Sequence, residues 1–275
     1  MKSFHSISNL SVEDQHFFNL YGRGATVNIP HGVVHHAFEE IASKHPEVTA
    51  VRHHDETTII YGELERQANT LANELITTHS LRKGDKVLLV YSRSIEMVVF
   101  ILAVLKAGGQ YIPLDGGVTP EATLSYTILN SGASLVLCLP KFRAKVEQCI
   151  PTERQGEVKL LDLDRRRLQS RGNATRPIVP VTSDDGAYII YTSGTTGKPK
   201  GVDVSHGGIT NAMLVNPSKL GITIGTNVIQ QLNVGFDLGK NDITCIRHNL
   251  TADRCLGDSC NYHEWRNSPY SREWK

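Results

Sequence analysis

Ten consecutive residues, Thr192-Ser193-Gly194-Thr195-Thr196-Gly197-Lys198-Pro199-Lys200-Gly201, concentrate hydroxyls, glycines and lysines between two strand-like runs at 187–191 and 202–205. Glycines let backbone N–H groups approach an anion closely, Ser and Thr hydroxyls donate to its oxygens, and lysines add positive charge. The chemistry this composition suits is the binding of a polyphosphate. The segment is not a Walker A loop. Counting back from Gly197, Thr192 stands where that motif requires glycine, Pro199 replaces its magnesium-binding Ser or Thr, and no helix is expected directly after Lys198. No GxGxxG occurs either. A plain flexible surface loop is the competing reading, and a ten-residue run of this kind between two strands argues against it.

A second set of chemistry-bearing residues lies near the end of the chain, where Cys245, His248, Cys255, Cys260 and His263 could in principle bind zinc. Their spacings are not those of common fingers or knuckles, so no metal is expected there. Five cysteines, an odd number without paired spacing, fit reduced and buried thiols such as Cys138 better than a disulfide framework. The formal net charge of +1 and the lack of long charged runs give no electrostatic reason to expect nucleic acid or an anionic membrane as partner. The most apolar stretch, 97–107, is shorter than a bilayer span and is bracketed by Glu96 and Lys106. No basic-then-apolar leader opens the chain, and a cytoplasmic location is expected.

The elements that must position the hydroxyl-rich loop are legible as alternating patterns. In 275 residues with 40% hydrophobic and 21% charged content there is enough chain to bury a sizeable core. Residues 1–30 are polar and end in a Gly/Pro-bearing stretch, which suggests a linker. Val33, Val34, Ala37, Phe38 and Ile41 recur at helical spacing, and a hairpin around His54 and Asp55 leads to a second helix marked by Leu64, Ala68, Leu71 and Leu75. From Lys86 short apolar runs alternate with helical ones: VLLVYS, a helix over 94–107, YIPLD, and a helix from Pro120. Ser94 suits the N-cap, and Gly108-Gly109 suits a left-handed C-terminal stop. SLVLCL, VKLLDLD and AYIIYTS read as strands covered on both faces. The fold class predicted is α/β, a mostly parallel and helix-covered sheet.

At these residues the sequence resembles a known family. YTSGTTGKPKG is similar to the phosphate-loop signature of the adenylate-forming superfamily of acyl-CoA synthetases, luciferases and peptide synthetase adenylation domains. Ile60-Tyr61-Gly62-Glu63-Leu64 resembles its first core motif, and the run from Leu105 through Ala107-Gly108-Gly109-Gln110-Tyr111-Ile112-Pro113-Leu114-Asp115 resembles its second, in the family's order. Each alone reads as plain core architecture. The wording AGGQYIPLD is closest to the nonribosomal peptide synthetase branch, and Leu10-Ser11-Val12-Glu13-Asp14-Gln15 resembles the linker joining a condensation domain to an adenylation domain.

The resemblance implies the amino-terminal part of the large subdomain of the acetyl-CoA synthetase-like fold, and an enzyme that forms aminoacyl-AMP and pyrophosphate from an amino acid and ATP with Mg2+. The product would then pass to phosphopantetheine on a carrier domain. Thr192, Ser193, Gly194, Thr195, Thr196, Gly197 and Lys200 would hold the β and γ phosphates, Lys198 is read as solvated, and Asp237 would hold the substrate's α-amino group. A loop-capping role for Asp237 is the alternative. After Gly239 the family's Trp-containing helix is expected, yet Asn241 stands where the tryptophan would fall. The organisation predicted is therefore a linker at 1–30, a partial adenylation domain at 31–239 and a divergent, disordered or out-of-frame tail at 240–275. The family's adenine, ribose and catalytic-lysine motifs are not found, so no catalytic residue is assigned and little turnover by this chain alone is expected. Two other readings stay open: a non-catalytic relic with a weak phosphate loop, and an acyl-CoA synthetase-like ligase.

Overall fold

A computed structural model of the chain describes residues 11–22, 28–53, 57–169, 172–192, 198–214, 228–229 and 250–252. Its centre is a six-stranded sheet built from β3 (Lys86–Tyr91), β4 (Gln110–Asp115), β5 (Leu135–Cys138), β6 (Lys159–Asp162), β7 (Gly186–Thr192) and β8 (Lys200–Ser205). The spatial order is β6-β5-β3-β4-β7-β8. All neighbours run parallel except β7 and β8, which form an antiparallel hairpin. The parallel α/β architecture expected from the apolar runs is present, and β8 is its one antiparallel addition among the described residues.

Side chains alternate between the two faces of this sheet, as a period of two requires. Val87, Leu89 and Tyr91 of β3 enter one apolar cluster, and Leu88 and Val90 enter the other. The first face is covered by α2 (Val34–Lys44), α3 (Tyr61–Thr77) and α4 (Ile95–Lys106). Val34, Phe38 and Ile41 of α2 and Leu64, Ala68, Leu71 and Leu75 of α3 are all in that cluster, on the stripes that the helical spacing predicts. The second face is covered by α5 (Glu121–Ser131) and α6 (Arg143–Cys149), through Leu124, Ile128 and Val146. The chain steps one way along the sheet through α4 and the other way through α5, and right-handed crossovers put those two helices on opposite faces.

The helix ends follow local chemistry. Ser94 Oγ accepts from the Met97 N–H at 3.2 Å and starts α4, while Gly108, with φ of +76°, takes the left-handed turn that returns the chain to β4. Cys138 and Cys149 are free and buried, and burial pushes the Cys138 thiol up to about 12, so it behaves as a core residue and not as a nucleophile.

A smaller sheet is formed by β1 (Thr49–His53), β2 (Thr58–Ile60), β9 (Val228–Ile229) and β10 (Leu250–Ala252), in the order β2-β1-β10-β9. The predicted hairpin is β1 with β2; its turn at 54–56 lies outside the described residues. Leu250–Ala252 falls in the stretch read from sequence as a divergent tail, and it pairs parallel with both β1 and β9. Residues 1–30, read as a linker, contain α1 (Val12–Tyr21), whose Ser11 hydroxyl accepts from the Asp14 N–H at 3.1 Å. A second short helix, α7 (Arg165–Gln169), precedes β7, and α8 (His206–Leu214) follows β8.

Candidate functional site

Parallel strands bring their carboxyl ends to one edge of the sheet, which is where open α/β folds bind ligands. Tyr91 pairs with Asp115 across β3 and β4, and Tyr111 with Tyr188 across β4 and β7. β4 ends at Asp115 and β7 at Thr192, both at that carboxyl edge. The β7–β8 hairpin leaves the sheet there, with Thr192 opposite Lys200 as the last paired residues.

Of the residues assigned to phosphate from sequence, the structure describes Thr192 and Lys200, both exposed at the end of the hairpin. They are brought together: the Thr192 hydroxyl donates to the Lys200 carbonyl at 3.4 Å. Ser193, Gly194, Thr195, Thr196 and Gly197 lie outside the described residues, as does Asp237. A threonine hydroxyl and a lysine ammonium on one exposed edge form a donor set that matches phosphate oxygens. Magnesium would arrive with the nucleotide phosphates; among the described residues no group of three or more His, Cys, Asp or Glu side chains could hold a metal ion unaided. The cysteines and histidines of the candidate zinc set lie outside the described residues.

The neck of the hairpin is braced by β7 and by residues of α5 that no sequence motif marks. Tyr126 of α5 donates from its phenol to the Pro199 carbonyl at 3.1 Å, and Tyr191 of β7 donates to Asn130 Oδ1 at 2.8 Å. The two rings meet edge to face, 6.4 Å apart at 88°. Tyr126 and Asn130 are four residues apart on α5, hence on one face of the helix, and that spacing is the only signal in the sequence that could have paired them.

Gly201 completes the neck. It lies opposite Tyr191, and a Cβ there would stand 3.0 Å from Ile189 Cγ2 and 3.3 Å from Tyr191 Cζ. Gly201→Ala is therefore expected to displace the Ile189 side chain and the Tyr191 ring and to lower stability by about 1–3 kcal/mol, the usual cost of overpacking. A thermal melt identical to that of the parent chain would show that the ring has room to move.

The opposite edge of the sheet carries a different polar cluster. Lys106, at the end of α4, is 1% exposed and its Nζ pairs with Glu39 of α2 and, at 2.9 Å, with Glu65 of α3. Arg176 approaches the same carboxylates from outside, at 3.5 and 3.3 Å. Beside them His35 and His206 stack edge to face at 5.6 Å, and both are buried. Burial is the largest cause that lowers both rings, bringing His206 down to about 4. Because this cluster sits at the amino ends of the strands, it belongs to the framework and is remote from the hairpin neck.

With this geometry in place, comparison with known proteins gives the class. Residues 38–248 match the AMP-binding enzyme family, and the chain belongs to it. It is similar to adenylate-forming reductase 03009 of Coprinopsis cinerea, with 41% identity over 247 residues, 88% of this chain and 23% of that protein. It is also 40% identical over 200 residues to tyrocidine synthase 3 of Brevibacillus parabrevis, 73% of this chain and 3% of that protein. Among solved structures, the NpsA N-terminal subdomain of Klebsiella oxytoca aligns with a TM-score of 0.69 and 28% identity, covering 86% of this chain and 58% of that one. The peptide synthetase resemblance is thus shared with relatives, beside a reductase of similar identity. The chain spans under a quarter of the length of these two curated relatives. No helix among the described residues is long and apolar enough to cross a membrane.

Proposed function

We propose that this chain supplies the phosphate-binding part of an enzyme that adenylates a carboxylic acid with ATP, and that the acid is an amino acid. In that reaction a carboxylate oxygen bonds to the α-phosphorus, the bond from that phosphorus to the bridging oxygen breaks, and pyrophosphate leaves. The observation that supports the reading best is the hairpin end, where Thr192 and Lys200 are paired at the carboxyl edge of a parallel sheet in an AMP-binding family member. Of the residues between them, Ser193 to Gly197 are proposed to wrap the β and γ phosphates, with Lys200 balancing their charge. Asp237 is proposed to receive the substrate ammonium. In the full reading, Mg2+ accompanies ATP, phosphopantetheine on a carrier domain accepts the acyl group, and the reaction is cytoplasmic. The division into linker, adenylation part and tail at residues 30 and 239 belongs to the same proposal.

The identity to an adenylate-forming reductase supports a second reading, in which the activated carboxylate goes on to be reduced. Equilibrium dialysis of the chain with Mg–ATP tests what the two share. Lys200→Ala is expected to weaken binding at least tenfold, since a charged hydrogen bond to phosphate contributes about 1.5–3 kcal/mol. Unchanged affinity would remove Lys200 from the site. Pyrophosphate exchange by the full-length protein, driven by amino acids and by the same acids lacking the ammonium, tests the amino-acid reading, and equal exchange with both would count against Asp237 as an ammonium partner; the release of an aldehyde or alcohol product would mark the reductive reading.

A further inference from the structure

We propose that Tyr126 is a positioning residue for Lys200, a role that rests on reading Lys200 as a phosphate ligand. β8 lies at the edge of the six-stranded sheet and is exposed over most of its length, with Val202 48% accessible. Packing therefore does little to fix the residues that enter it. Pro199 has no N–H to give to a ladder, and its carbonyl is the group immediately before Lys200. The Tyr126 phenol takes hold of that carbonyl.

The helix behind the phenol is anchored in the core. Leu124, Thr127 and Ile128 of α5 have no exposure, and Leu124 and Ile128 belong to the core cluster that Tyr191 packs against. The second bond, from Tyr191 back to Asn130, runs the other way between the same two elements. Helix and hairpin are thus tied at two points, one on each strand of the neck, and the edge strand inherits the order of the buried helix. A ligand group held in place before its anion arrives gives up less freedom on binding than one on a free edge.

A double-mutant cycle on the full chain, read by Mg–ATP dialysis, tests the proposal. Tyr126→Phe keeps the ring against Tyr191 and removes only the donor. Affinity is expected to fall about threefold to tenfold, the range of a single neutral hydrogen bond. In the Lys200→Ala background the same change is expected to have no further effect, because the phenol acts through Lys200. An equal loss in both backgrounds would overturn the proposal by making Tyr126 a general prop of the fold. So would an unchanged affinity for Tyr126→Phe where Lys200→Ala weakens binding, an outcome that leaves the phosphate reading standing. If Lys200→Ala changes nothing, or the parent chain takes up no nucleotide, the phosphate reading falls and this inference falls with it.

Discussion

Lys106→Ala is expected to destabilise the chain by about 3–5 kcal/mol, a large fraction of the roughly 5–15 kcal/mol that holds an ordinary domain together. The lysine is 1% exposed and Glu39 8% exposed, so neither charge has water to fall back on when its partner is lost. Two carboxylates and two cations meet there, and the ammonium is the member that lies inside: it touches Glu39 and Glu65 and stands 5.9 Å from the centre of the Phe38 ring. Arg176 is about half exposed and can replace it only from the rim. The network also ties α2, α3 and α4 together and holds the strap at 173–176 on α3, where Asn69 and Asn73 donate to the carbonyls of Asn173, Ala174 and Thr175. Urea denaturation provides the measurement. Lys106→Met combined with Glu39→Leu is expected to regain part of the loss, because that apolar pair needs no compensation for lost solvation while Glu65 keeps Arg176 as its partner. A single alanine change that costs under about 1 kcal/mol would show that water reaches the carboxylates.

That network also marks the limit of what the sequence could tell. The helices α2, α3 and α4 and the strands β3 to β7 follow from the spacing of their apolar residues, because one buried stripe or one alternating face is a local property of the chain. The Ser94 cap and the Gly108 stop were legible for the same reason. Lys106 was read only as part of a helix end, since its partners lie 67 and 41 residues away and nothing local marks the lysine as buried. The neck of the hairpin divides in the same manner. Composition alone suggests the phosphate chemistry proposed for the loop, through hydroxyls, glycines and lysines placed side by side. The Tyr126 bond to Pro199 spans 73 residues and depends on which face of the sheet α5 covers, and that is fixed by topology. α1 escaped notice because its apolar residues, Val12, Phe17, Leu20 and Tyr21, are exposed and form no buried stripe.

Acid is expected to lower the stability of the chain from about pH 6.5 downward, above the pH at which carboxylates protonate. His206 opens α8 with 1% of its surface exposed, and its Nδ1 accepts from the Val34 N–H at 3.4 Å, which a protonated ring cannot do. It faces His35 and His36 of α2 and Asp185 at the start of β7; burial lowers its pKa most, and the nearby Asp185 only partly opposes this. His35 is lowered too, by burial first and then by His206, His36, Lys106 and Arg176. A buried histidine of this kind is neutral in the native chain and titrates near 6.5 once unfolded. The unfolded chain therefore binds more protons throughout the interval from about 6.5 down to about 4, and stability falls as pH falls through it. The contribution of His206 is fully present above 6.5, and its loss reaches about 2 kcal/mol at pH 5 and about 3 kcal/mol at pH 4. Asp185 and Glu63, held below their usual range by hydrogen bonds to Lys83 and Arg66, act in the same direction only from the carboxylate range downward. Urea midpoints between pH 7.5 and 5 isolate the histidine part. His206→Asn, which keeps an acceptor near the position of Nδ1, is expected to flatten that slope while costing some stability at neutral pH. Parallel slopes for the parent chain and the variant would mean that the proton uptake lies elsewhere, and the buried, neutral state assigned to His206 would be wrong.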